Sequence, residues 1–99
     1  MNYEVIIKPD AELDLTEIVL WYESKNEKLG RRFLEAIEVK MQFLELNPNL
    51  YQARYKKIRF TPVRLFPYAI HYTNEEQKVY LHAVLSTNRN PRIWKERNP

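Results

Sequence analysis

The sequence contains no cysteine, which removes disulfides, thiolate metal ligands and thiol nucleophiles together. Glycine occurs once, at Gly30, so no glycine-rich phosphate loop is possible and the turns must use Asn, Pro, Thr and Lys instead. Histidine occurs twice, at His71 and His82, without the clustered acids that would complete a metal site. No cofactor is called for. No apolar run approaches the roughly 20 residues needed to cross a bilayer, and the N-terminus lacks a basic-then-apolar leader pattern. A reducing cytoplasm with no membrane partner is the location these absences imply.

The 99 residues that are present suffice for one domain, 1–99, with a real core. Net charge is +3 and the pI about 9.2, a mild bias toward an acidic partner, whether nucleic acid or protein. Its distribution says more than its total. Residues 10–46 hold most of the acids, whereas 54–64 carries Arg54, Lys56, Lys57, Arg59 and Arg64 with none. The closing segment adds Arg89, Arg92, Lys95 and Arg97 against Glu96 alone.

Periodicity divides the chain into six elements. Residues 3–8 alternate as a short strand that Pro9 ends, and Asp10 is placed to cap the helix that follows. Ala11, Leu15, Ile18 and Tyr22 form one helical stripe, and Leu29, Phe33, Ile37, Met41 and Leu44 another, with a polar break over 24–28. Asn47-Pro48 stops the second helix. Residues 54–60 read as one strand, Thr61-Pro62 as a turn, and Val63–Tyr72 and Lys78–Leu85 as a hairpin joined by residues 73–77. Pro67 calls for a bulge or an unpaired edge position. In the last strand Val79, Leu81, Ala83 and Leu85 should point inward and Tyr80, His82 and Ser86 outward. Asn90-Pro91 opens a short helical turn anchored by Trp94. The expected fold is α+β in the order β-α-α-β-β-β: a helical hairpin on an antiparallel sheet of about four strands.

Several residues in this order resemble one family. They are Pro9, Ala11, Asp14-Leu15, Ile18, Trp21-Tyr22, Leu29-Gly30, Phe33 and Asn47-Pro48 in the first half. Arg64, Phe66-Pro67-Tyr68, Ile70, Tyr72, Ala83-Val84, Arg89-Asn90-Pro91, Trp94 and Arg97 follow in the second. The pattern resembles the RelE/ParE toxin superfamily of type II toxin–antitoxin systems, closest to its ParE-like, plasmid-stabilisation branch. One departure is Ser86, which stands where many ParE-like relatives carry a histidine, three residues before the arginine of the Arg-x-Pro segment.

The resemblance implies a growth-inhibiting protein neutralised by a cognate antitoxin. Its ParE-like form implies that the target is DNA gyrase, bound and poisoned without nuclease activity. Two alternatives remain open: a RelE-like endoribonuclease that cuts mRNA on the ribosome, and a non-toxic interaction module of the same fold. Metal-free RNA cleavage needs cations for the developing phosphate charge and groups that move protons. Arg64, Arg89, Lys56 and Lys57 could supply the first, but both histidines lie inside strands, away from the arginine-bearing end. As a surface for target or anion, Arg59, Arg64, Arg89, Arg92 and Trp94 are the candidates, because guanidinium forks match phosphate and carboxylate bidentately. The antiparallel hairpin should bring Arg64 and Arg89 to one end of the sheet, the plain alternative for each being a solvated charge or an ion pair with a helix acid.

Overall fold

Pro9 decides where the first strand stops and the first helix starts. Its fixed φ and missing N–H suit the first helical position, so β1 (Glu4–Ile7) gives way almost at once to α1 (Pro9–Lys25). Lys8, rather than Asp10, caps that helix, its carbonyl accepting from Glu12 N–H at 3.0 Å. Asp10 falls in the first turn, where the helix dipole still favours its charge. Asn26 alone separates α1 from α2 (Glu27–Leu46). Its backbone N–H closes α1 onto the Tyr22 carbonyl, and its side-chain oxygen accepts from Lys28 N–H at 2.9 Å. The structure, a computed structural model, describes residues 2–51 and 53–88, with Arg54 and Tyr55 described by their backbone alone.

The two apolar stripes meet over the sheet as their spacing requires. Ala11, Leu15, Ile18 and Tyr22 of α1 and Phe33, Ile37 and Leu44 of α2 are buried, with Leu29 and Met41 packed at the margin. Beneath them lie Ile70, Tyr72, Val79, Leu81 and Val84.

The remaining strands are β2 (Ala53–Tyr55), β3 (Ile58–Pro62), β4 (Tyr68–Glu75) and β5 (Lys78–Ser86), and the sheet order is β1-β5-β4-β3-β2. The α+β class and the helical hairpin on a sheet hold. In detail the sheet has five strands and is mixed, because β1 joins β5 in parallel from Glu4↔Lys78 to Ile7↔Leu81. Periodicity within a short strand reports which face is buried, not which distant strand it pairs with. The fifth strand arises because Lys56 adopts φ 55° and folds the 54–60 run into a two-residue hairpin, with Tyr55 facing Ile58.

The other turns also work without glycine. Glu76 and Gln77 take φ 47° and 67°, a tight turn that lets β4 run to Glu75 instead of ending near Tyr72. Thr61 and Pro62 belong to β3, and the turn falls at 63–67. Pro67 therefore sits in a loop, where its missing N–H costs no ladder bond. The ladder irregularity lies elsewhere: His71 faces Ala83 while Tyr72 faces Leu81, so His82 is the extra residue. That bulge places Val84, rather than Ala83 or Leu85, beside Val79 and Leu81 under the helices. Ala83 and Leu85 are buried on the opposite face. The expected C-terminal helical turn lies outside the described residues.

Candidate partner-binding surface

The β3–β4 loop is built from its own backbone. Val63 N–H donates to the Tyr68 carbonyl at 2.9 Å, Phe66 N–H to Val63 at 3.3 Å and Tyr68 N–H to Phe66 at 2.8 Å. Phe66 turns inward, its ring 5.2 Å from those of both Tyr22 and Phe33 in edge-to-face contact. Arg64 and Leu65 are left outside, and Leu65 is 89% exposed with φ 71°. A bulky apolar side chain held both in water and in the left-handed region is unfavourable on two counts.

Beside this loop runs α2, and between them opens a groove of about 560 Å³. Leu29, Ala36, Val39 and Phe66 supply its apolar lining and Arg32 and Arg64 its positive charge against Glu35, while Lys40 lines it with its ammonium donating to the Tyr51 hydroxyl at 3.1 Å. Thr87 N–H donates to the Pro67 carbonyl at 2.9 Å, so the end of β5 is tied to the same loop. The chain thus leaves Asn88 at the end of the sheet that carries Arg64, the end to which Arg89 was expected to come. Arg89, Arg92, Trp94 and Arg97 themselves lie outside the described residues.

The sequence-selected cations are not gathered in one place. Lys56 and Lys57 are exposed at the β2–β3 turn, before β3 begins, whereas Arg64 follows its other end. The five residues of β3 put roughly 13 Å of strand between those ends. Arg59 is half-buried and engaged: its Nε donates to Asn74 Oδ1 at 3.1 Å and its Nη1 to the Tyr51 carbonyl. Asn74 in turn donates to Asn49 at 2.7 Å, and the buried Tyr72 hydroxyl donates to the Pro48 carbonyl at 2.8 Å. Burial pushes the Tyr72 phenol up to about 12. These bonds pin the connector after α2 to the sheet.

Neither histidine stands at the arginine end. His71 is buried and stacks on Phe60 at 4.1 Å. His82 is half-buried with Nε2 2.7 Å from the Thr73 hydroxyl, and burial, helped by the Lys8 ammonium, holds its pKa below the ordinary value.

Asp14, in the sequence only one of the motif residues, has a structural role. Its carboxylate accepts from Val84 N–H at 2.9 Å, satisfying a β5 amide beyond the stretch where β1 pairs. With Glu17, Trp21, Tyr68 and Ser86 it lines a second hollow of about 280 Å³. The available signal was an acid beside the apolar stripe, between Ala11 and Leu15. Among the described residues no group of three or more His, Asp or Glu could hold a metal, and no helix is long and apolar enough to cross a membrane.

The class of protein is an α+β domain, a helical hairpin on a mixed sheet with Arg64 exposed at one sheet end. Residues 5–91 match the family described as ParE toxin of type II toxin-antitoxin system, parDE. The chain belongs to this ParE toxin family. A solved structure, of the chromosomal ParDE toxin–antitoxin system from P. aeruginosa, superposes with a TM-score of 0.74 at 12% identity, over 85% of this chain and 95% of that one. At that identity the likeness concerns the fold. No curated protein matches the sequence.

Proposed function

We propose that this chain, acting as one toxin domain in the cytoplasm, inhibits growth by binding and poisoning DNA gyrase. A cognate antitoxin holds it silent, and the pair serves plasmid stabilisation. The observation that carries this reading is the ParE toxin match over residues 5–91. The gyrase target follows from the ParE-like resemblance. The exposed Arg64 supports it, because a guanidinium left open at the sheet end is suited to a carboxylate or phosphate of a large partner.

Expression of the chain alone should arrest growth, and co-expression of the product of a short adjacent reading frame should relieve that arrest. DNA supercoiling should change before messenger RNA is cut. Normal growth at high soluble expression would sink the toxin reading. Cleavage of mRNA ahead of any supercoiling change would replace the gyrase target with the ribosome.

A further inference from the structure

β5 outruns its neighbour on one side. β1 accompanies it only from Lys78 to Leu81, Lys8 N–H donates to the Leu81 carbonyl at 2.9 Å, and Pro9 then carries the chain off into α1. On its other side β5 stays paired with β4 as far as Ser86. Successive residues of a strand direct their N–H and C=O groups to opposite sides. Thr87 N–H donates to Pro67, on the β4 side, and Val84 N–H donates to Asp14, on the α1 side, so Ser86 presents its own pair toward α1. Among the described residues no backbone group meets Val84 or Ser86 there. A bare strand edge of this kind is a template for another strand.

α1 runs past this edge without closing on it. Between them lies the hollow of about 280 Å³, with Asp14, Glu17, Ile18 and Trp21 on the helix side and Val84, Leu85 and Ser86 on the sheet side. Packing therefore does not seal the edge. The polar link across it is Asp14 Oδ2, which accepts from Val84 N–H at 2.9 Å over 70 positions of sequence. An incoming strand would have to place a carbonyl where that carboxylate stands. A carboxylate only accepts, so it takes the amide and offers no donor in exchange. Glu17, about one turn further along α1, brings a second negative charge to the same hollow.

We propose that Asp14 caps the open end of β5 and keeps residues 84–86 from pairing with the same stretch of a second copy of the chain. A two-fold axis across that edge would bring the two stretches together, antiparallel and self-complementary. It would also bring Asp14 and Glu17 of both copies into one seam. The unaltered chain is thus held apart by an occupied amide and by like charge.

Sedimentation of the whole chain and hydrogen exchange at the Val84 amide test this. The unaltered chain should be monomeric, with that amide protected although it has no place in a ladder. Asp14→Ala should speed exchange at Val84 at least about tenfold and produce a concentration-dependent dimer. Asp14→Asn, which keeps an acceptor oxygen, should stay monomeric. Ser86→Pro added to Asp14→Ala should restore the monomer, because proline removes an amide from the edge and none from the β4 ladder. Fast exchange at Val84 in the unaltered chain would overturn the proposal, even where Asp14→Ala does not fold. So would a folded Asp14→Ala chain that stays monomeric at every concentration tested, or a dimer that survives Ser86→Pro.

Discussion

At one end of β3, Arg59 is engaged by Asn74 and the Tyr51 carbonyl; past the other end, Arg64 stands exposed on a self-closed loop. The two arginines are five positions apart in one basic run and look alike in sequence. One belongs to a polar network that fastens the α2–β2 connector to the sheet, the other to a surface with an exposed leucine beside it. The contrast separates positive charge used for folding from positive charge kept for a partner.

The largest effect should come from the floor beneath the open end. Phe33 is fully buried and touches Tyr22, Phe66 and Tyr68, so Phe33→Ala should cost roughly 3–5 kcal/mol in denaturant unfolding. That is a large share of a small domain's stability, and toxicity should disappear through unfolding. A Phe33→Ala chain of undiminished stability would show that the loop does not depend on this cluster.

Next comes the contrast itself. Arg59→Ala strips Asn74 and the Tyr51 carbonyl of a charged donor and should destabilise the chain by about 1.5–3 kcal/mol. Arg64→Ala should change stability by less than about 1 kcal/mol, because exposed charges contribute little to folding. It should nevertheless weaken growth arrest, and Arg64→Lys should not fully restore it, since an ammonium lacks the planar fork. Equal losses of stability in the two alanine variants would erase the distinction between pinned and open ends.

The smallest effect is a pH dependence at the pinned end. The His82 pKa is depressed in the folded chain, so its contribution to stability is complete above the unfolded value of about 6.5. It is lost as pH falls below that value, when the unfolded chain takes up the proton first. His82→Gln should flatten the acid side of the stability profile, and a profile that falls as steeply as before would assign the dependence elsewhere.

Much of this architecture was legible because it is written locally. The stripes at 11–22 and 29–44 face the core as their spacing selects, with Leu29 and Met41 at its margin, and Asn26 and Pro9 punctuate the helices by side-chain and ring chemistry that needs no distant partner. The turns were less legible, because Lys56, Leu65, Glu76 and Gln77 adopt left-handed φ without the glycine that ordinarily announces it. Of the candidate site, Arg64 and the arrival of the β5 end beside it could be foreseen from the antiparallel hairpin. The separation of Lys56 and Lys57 from Arg64, and the bonding of Asp14 to Val84, could not.

The sequence by itself determined the two amphipathic helices, the antiparallel pairing of β4 with β5, and the family, because periodicity, caps and motif spacing act over a few residues. Tertiary structure decided that β1 closes on β5, that Arg59 is spent while Arg64 is left exposed, and that α2 becomes one wall of a groove. Each of those outcomes depends on which distant backbone amide, carbonyl or side chain arrives opposite, and register across the sheet is a long-range property that no local pattern encodes.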